Sequence, residues 1–129
     1  MFSAPQVNIY SEDMVRSVEF YRRIGFEETF RTPPEGPPIH VELDLDGFTL
    51  GIAAVSSARA DHGLDLDLGK PGRGMEIALW TEDVDAAFAH LVSAGARVLA
   101  DPHDWLGALR VAWVADPDSN PIELVQRLA

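Results

Sequence analysis

The sequence contains no cysteine among its 129 residues. This absence excludes a disulfide framework, a thiolate nucleophile and any metal site built from cysteine. The sequence also lacks an apolar run of the roughly 18 to 20 residues that a membrane-spanning helix needs, and its first residues lack the basic-then-apolar pattern of a secretory signal. We therefore expect no membrane partner and a cytoplasmic location.

Basic residues are scarce: 10 lysines and arginines stand against 21 aspartates and glutamates, and the formal net charge is -11. Such a charge repels nucleic acid phosphates, so nucleic acid is not an expected partner. It attracts cationic small molecules, although a high charge also simply confers solubility. The sequence contains neither a Gly-x-Ser-x-Gly nucleophile elbow nor a His-Glu-x-x-His zinc helix, so these hydrolase motifs are excluded.

Residues 4–55 have the pattern of one β-α-β-β-β module. Residues 6–10 alternate polar and apolar side chains, as a half-buried strand does. Asp13 then provides the N-cap of a helix that ends at Gly25. Three further strand patterns follow, at residues 26–30, 39–45 and 48–54.

The same pattern returns in residues 75–129. The two cap aspartates, Asp13 and Asp83, lie 70 positions apart. Near the ends of the modules, Gly51 and Glu123 lie 72 positions apart. Two tandem copies with a small insertion explain both offsets, and they predict an α+β fold of two βαβββ modules.

The segment between the modules, residues 56–74, shows little periodicity and is interpreted as a connector. The whole chain, residues 1–129, has the length of a single domain with a substantial core. His62 lies in the connector and is interpreted as a solvated or packing residue.

Alternation along the strands assigns two faces to each predicted sheet. Apolar positions pack beneath the helices, and Trp113 is placed with them because the repeat aligns it with Val41. The opposite face of each sheet is rich in polar groups, so it is either solvated or a binding site. Trp105, expected in a loop at residues 102–107, adds a flat surface for a planar or cationic ligand. The candidate ligand-binding residues are Gln6, Asn8, Tyr10, His40, Glu42, Glu76, Trp80, Trp105, Glu123 and, as an expected neighbour of His40 and Glu42, Arg110.

The chain resembles the vicinal oxygen chelate superfamily, which contains glyoxalase I, extradiol dioxygenases, fosfomycin-modifying enzymes and bleomycin-resistance proteins. The resemblance rests on the tandem modules, on the aspartate before and the glycine after each helix, and on the Asp-Pro-Asp-Ser-Asn-Pro-Ile-Glu-Leu ending at residues 116–124. It implies that the strands of each module form half of a cup, with the helices on the convex side and the site in the concavity. It also implies a homodimer, since single-chain members commonly pair.

The resemblance further implies four metal-ligand positions, which correspond here to Gln6, Gly51, Glu76 and Glu123. Family enzymes usually carry His or Gln, Glu, His and Glu in that order. Gly51 has no ligating side chain, and Glu76 replaces the usual histidine. We therefore expect no catalytic metal, although Gln6, Glu76 and Glu123 offer three oxygen donors of the kind that Mg or Mn prefers.

Two functional hypotheses result. In the first, the chain is similar to the metal-free bleomycin-resistance proteins, and it binds a small cationic or aromatic molecule in an acidic, aromatic-lined cup. In the alternative, it is a lyase, isomerase or dioxygenase of the glyoxalase type, in which Gln6, Glu76 and Glu123 hold Mg or Mn and His40 is the general acid or base. Without catalysis, His40 is a hydrogen-bonding group in the pocket. The residues leave the identity of the ligand open.

Overall fold

The computed structural model describes residues 1, 3–68 and 75–129 of the chain. These residues fall into two compact units, Met1–Leu68 and Gly69–Ala129, and the boundary between the units lies within the predicted connector. Each unit contains one four-stranded mixed sheet with helical segments packed on it. No helix among the described residues is long and apolar enough to cross a membrane.

The first unit contains four strands and two helices. Its elements are β1 (Val7–Ser11), α1 (Met14–Arg23), β2 (Glu27–Thr32), β3 (His40–Leu45), β4 (Phe48–Ala54) and α2 (Val55–His62). The strand order is β1-β4-β3-β2, with β1 parallel to β4 and the other neighbours antiparallel. Alternate residues of β3 and β4 form a buried core with the aromatic residues of α1. The residues of this core are Phe20, Tyr21, Val41, Leu43, Leu50 and Ile52.

The second unit repeats this topology. Its elements are β5 (Ile77–Trp80), α3 (Val84–Ser93), β6 (Arg97–Trp105), β7 (Leu109–Ala115) and β8 (Pro121–Arg127). The strand order β5-β8-β7-β6 again has one parallel pair, β5 with β8, and two antiparallel pairs. The predicted α+β fold of two tandem βαβββ modules is confirmed.

Local chemistry starts and ends the equivalent helices in the same way. The side chains of Asp13 and Asp83 each accept a hydrogen bond from the backbone N–H three residues later, at 3.1 and 3.0 Å respectively. These bonds satisfy amide groups that a helix leaves free at its first turn. After the helices, Gly25 and Gly95 adopt φ angles of 117° and 111°, which residues with a Cβ rarely adopt. Both pairs of residues were identified from the repeat.

Helix α2 was not predicted, because its sequence falls in the segment interpreted as a connector. The helix begins directly after β4 without a side-chain cap, and only Val55 and Ala58 among its residues are buried. Two buried positions in eight residues leave no apolar stripe for sequence periodicity to detect. The rest of the predicted connector includes residues 69–74, which lie outside the described residues.

The turn between β7 and β8 is fixed by a buried aspartate. Oδ1 of Asp116 accepts hydrogen bonds from the backbone N–H groups of Asp118 and Asn120 at 2.9 and 2.8 Å, and Oδ2 accepts one from Nδ2 of Asn120 at 2.7 Å. Three bonds to one carboxylate make this turn rigid. The turn sets the register of β8 on β7, and therefore the position of Glu123.

Candidate functional site

Four polar side chains form a hydrogen-bonded group on the sheet face of the first unit that is turned away from α1. Nε2 of Gln6 donates to Oδ1 of Asn8 at 2.8 Å and to Oε2 of Glu42 at 3.4 Å. The same Glu42 oxygen lies 3.1 Å from Nε2 of His40. We call these four residues the first-sheet cluster. Alternation along the strands had placed all four on one face, and the structure brings them into contact.

Gly51 lies on β4 between two members of the cluster, since its neighbours across the sheet are Asn8 on β1 and Glu42 on β3. A Cβ at Gly51 would lie 1.9 Å from Oδ1 of Asn8 and 3.0 Å from Cε1 of His40. Both separations are shorter than packed atoms tolerate, so any side chain at this position displaces Asn8. The space of the glutamate implied by the resemblance is therefore occupied by Asn8.

Tyr10 lies at the carboxyl end of β1, opposite Ala53 of β4. Together with His40 it lines a pocket of about 270 Å³ that α2 closes on one side. The first unit thus places five of the predicted site residues on one face, four in the cluster and Tyr10 beside it.

In the second unit, two carboxyl groups meet on the corresponding face. Glu123 of β8 lies opposite Ala78 of β5, two residues after Glu76. Burial, a hydrogen bond with Glu76 and repulsion by its charge raise the pKa of Glu123 from 4.5 to about 7. Each of these causes disfavours the ionised form of Glu123. Near neutral pH the protonated and the ionised forms of the Glu123 carboxyl are therefore both populated.

Trp113 lies beside this carboxyl pair, so its assignment to the core was wrong. It is half-buried and directly opposite Glu123 in the β7–β8 ladder. Its indole Nε1 donates to Oε1 of Glu76 at 3.5 Å. Its ring stacks on His103, with 6.2 Å between the ring centroids and 26° between the ring planes. Trp113 is therefore a site residue that the sequence reasoning missed.

The physical reason for this error is one extra residue in the β7–β8 turn. In the first unit Gly51 lies opposite Glu42, and in the second Glu123 lies opposite Trp113. The positions 51 and 123 differ by 72, whereas 42 and 113 differ by 71. Trp113 therefore corresponds to Glu42, not to Val41, and a shift of one residue moves a side chain to the other face of a sheet.

Arg110 was expected on the face of the candidate site, as a neighbour of His40 and Glu42, but it lies on the helix side of the second sheet. Its Nε and Nη2 donate to Asp85 of α3 at 2.7 and 2.9 Å, and its Nη1 donates to Asp104 of β6 at 2.9 Å. Because Arg110 precedes Trp113 by three residues on a regular strand, the two side chains lie on opposite faces. Arg110 ties β7 to the helix side of the second sheet.

The two other tryptophans of the second unit are exposed. Trp80, at the end of β5, is 57% exposed, and the guanidinium carbon of Arg127 lies 4.3 Å from its ring centroid. Both residues line a pocket of about 350 Å³. Trp105 is 51% exposed and ends β6, so it lies in a strand and not in the predicted loop. The sequence reasoning missed Arg127, although its spacing of four from Glu123 on one strand puts it on the same face.

A model of the Glyoxalase/Bleomycin resistance protein/Dioxygenase superfamily matches residues 3–124. The chain belongs to this superfamily. An uncharacterised protein of Mycobacterium bovis is 31% identical over 108 residues, which cover 82% of this chain and 71% of that protein. Two Mycobacterium tuberculosis proteins match equally well, and the match spans 64% of their length, less than two thirds.

Solved structures share the fold of this superfamily member. A hypothetical protein from S. aureus has a TM-score of 0.82 at 19% sequence identity, and the match covers 98% of this chain and 94% of that one. A glyoxalase-related enzyme from Fulvimarina pelagi has a TM-score of 0.80 at 23% identity, with coverages of 98% and 88%. At these identities the similarity describes the backbone fold and carries no information on the reaction.

The side chains at the superfamily's ligand positions fit a transition metal poorly. In the first unit, Gly51 offers no side-chain ligand, and Nε2 of Gln6 donates to Asn8 and Glu42, so Gln6 offers only its Oε1. Within the part of the chain that the structure describes, no three His, Asp or Glu side chains form a group that could hold a metal ion. Zn, Ni and Fe sites in proteins usually include imidazole and three or four side-chain ligands.

Proposed function

We propose that this superfamily member binds a small cationic or aromatic molecule on an acidic, aromatic surface and does so without a catalytic metal. The packing around Gly51 carries the proposal. Asn8 fills the place of a ligand side chain, and its amide oxygen accepts a hydrogen bond from Gln6 at 2.8 Å. Of the four ligand positions that the resemblance implies, Gly51 therefore offers no side chain to an ion, and Glu76 is a carboxylate in place of the usual imidazole.

The second unit supplies the acidic and aromatic surface. Nε1 of Trp113 donates to Glu76 of the Glu76–Glu123 pair, and Trp80, on the same sheet, is 57% exposed. A cationic group beside the two carboxyl groups stabilises their fully ionised form, and aromatic faces attract the same cation through their π electrons. Binding of a cation therefore lowers the pKa of Glu123 and releases its proton.

Calorimetric titration tests this proposal, with a panel of cationic glycopeptide and aromatic antibiotics and with neutral aromatic analogues. Titrations in buffers of different ionisation enthalpy measure the proton released per ligand bound. We expect saturable binding of a cationic ligand with release of a fraction of a proton at pH 7, because part of the Glu123 population is protonated there. The variant Glu123→Gln binds without proton release.

The three tryptophans, at positions 80, 105 and 113, all lie in the second unit, so quenching of their fluorescence provides an independent readout. Flat traces across the whole panel contradict the binding function, and saturable binding with no proton release contradicts the role of the carboxyl pair.

One contact favours the alternative function, a lyase, isomerase or dioxygenase of the glyoxalase type. Nε2 of His40 lies 3.1 Å from Oε2 of Glu42, an arrangement that orients an imidazole for acid–base work. In this alternative Mg or Mn is the cofactor, and the carboxyl groups of Glu76 and Glu123 are among its ligands. Elemental analysis of the purified protein and thermal shift with Mg, Mn, Ni and Zn decide between the two: bound metal with a stabilising shift supports the enzyme.

We also expect a homodimer, as the resemblance implies. Light scattering then gives twice the chain mass of 14.1 kDa, and a single species at 14.1 kDa contradicts the expectation.

A further inference from the structure

The pocket of the first unit has a construction that differs from the acidic surface of the second. It lies between α2 and the adjoining ends of β1, β3 and β4, and its volume is about 270 Å³. Ile39, Leu64 and three alanines provide its apolar walls. A cavity of about 150 Å³ holds one benzene molecule, so this pocket has room for two fused rings.

The polar groups that the described residues contribute to the pocket can form hydrogen bonds, and none of them is a carboxylate. They are Tyr10, His40, Ser57 and His62. The hydroxyl of Ser57 donates to Asp61 at 2.6 Å, so its oxygen still accepts, and Nε2 of His40 is used by Glu42. Within the described residues, the Tyr10 hydroxyl and the His62 ring make no hydrogen bond, which leaves both available to an occupant.

We propose that this pocket binds a neutral, planar aromatic molecule of one or two rings that bears a hydroxyl group. The volume and the apolar walls suit the rings, and the hydroxyl bonds to the free groups of Tyr10 and His62. Among the described residues no carboxylate, lysine or arginine lines the pocket, so they offer a charged occupant no partner of opposite and permanent charge. The inference assigns a role to α2 and is independent of the function proposed for the second unit.

Three probes with the same rings and different charges test the proposal on the full chain: 2-naphthol, 2-naphthoate and 2-naphthylmethylammonium. Calorimetry and ligand-observed NMR measure the affinity of each. We expect saturable binding of 2-naphthol. The variant Tyr10→Phe removes one hydrogen bond and weakens it by about threefold to tenfold.

A pair of matched variants on α2 locates the binding. Ala58 lines the pocket, and Ala58→Leu fills it, which weakens 2-naphthol binding by at least about tenfold. Ala60 is exposed on the same helix and does not line the pocket, so Ala60→Leu leaves the affinity unchanged. Circular dichroism checks that both variants fold; if Ala58→Leu does not, Tyr10→Phe and His62→Leu still decide the outcome.

The proposal is overturned if 2-naphthol does not bind, or if Tyr10→Phe, His62→Leu and Ala58→Leu all bind it with the affinity of the original chain. It is also overturned if 2-naphthoate or the ammonium probe binds more tightly than 2-naphthol and Ala58→Leu abolishes that binding. If Glu123→Gln weakens binding of the ammonium probe and Ala58→Leu leaves it unchanged, the probe binds to the second unit. The two proposals therefore fail separately.

Discussion

Replacing Glu123 with glutamine exchanges a partly buried carboxyl group for a neutral amide of nearly the same shape. In the folded chain the pKa of Glu123 is raised from 4.5 to about 7, first by burial and then by the hydrogen bond with Glu76 and by its charge. Between these two values the folded chain keeps a proton that the unfolded chain has released. The protonated carboxyl therefore stabilises the fold fully below about pH 4.5, and this contribution is lost as the pH rises towards 7.

The size of the effect follows from the two pKa values. The difference between 4.5 and about 7 corresponds to roughly 3.4 kcal/mol, at about 1.36 kcal/mol for each pH unit. Glu123 is only partly buried, and solvent screens its interactions, so we expect about 1 to 2 kcal/mol. Glu123→Gln is neutral at every pH. Its unfolding free energy relative to the original chain should therefore rise by about 1 to 2 kcal/mol between pH 5 and pH 8.5.

Urea unfolding followed by tryptophan fluorescence measures this difference at a series of pH values. Glu82→Gln is the matched control, because it removes one negative charge from an exposed position of the same unit. Carbon-13 NMR of the Glu123 carboxyl gives the titration directly. A stability difference that is the same at pH 5 and pH 8.5, or a control variant that shows the same pH dependence, refutes the reasoning.

Three further predictions concern stability and are measured by urea unfolding. Gly51→Ala costs about 0.5 to 1.5 kcal/mol, because its Cβ makes the exposed Asn8 side chain turn away and lose its hydrogen bond from Gln6. Asn8→Ala in the same chain recovers most of this loss, which a double-mutant cycle detects as coupling; additive losses contradict this. Asp116→Ala costs about 2 to 4 kcal/mol, since it removes three hydrogen bonds in a buried turn, and a loss below about 1 kcal/mol contradicts the role of that turn. Asp13→Ala and Asp83→Ala each cost about 1 kcal/mol through the loss of a helix cap, and unequal losses argue against equivalent caps in the two modules.

Features set by local chemistry were predictable from the sequence. The N-cap of α1 is a local feature, in which the Asp13 side chain accepts a hydrogen bond from the backbone N–H three residues later. Asp83 caps α3 in the same way, in agreement with the repeat. Strand faces follow from a period of two, so Gln6 and Glu42 were placed together correctly although they lie 36 residues apart. These inferences required no knowledge of the tertiary structure.

Features set by an insertion or by sparse packing were not predictable in the same way. The β7–β8 turn has one added residue, and a shift of one residue along a strand moves each side chain to the other face of the sheet. Trp113 therefore lies on the face of Glu123 and not in the predicted core. Helix α2 has only two buried residues, so its packing against β4 produces no helical pattern of apolar residues in the sequence. For Arg110, the deciding partner is Asp85, which lies 25 residues away on a helix.

The corrected register shows how the two modules differ at equivalent positions. In the first, the strand neighbours are Glu42 and Gly51, and in the second they are Trp113 and Glu123. Each module therefore has one glutamate in this pair of neighbours, on β3 in the first module and on β8 in the second. A glutamate at position 51 would lie directly opposite Glu42 and would meet Asn8, and like charges placed opposite each other on a sheet are destabilising. A glutamate at position 51, where the resemblance implies a ligand, would therefore displace Asn8 and face Glu42, so the glycine affects the chemistry of the whole first-sheet cluster and not of a single side chain.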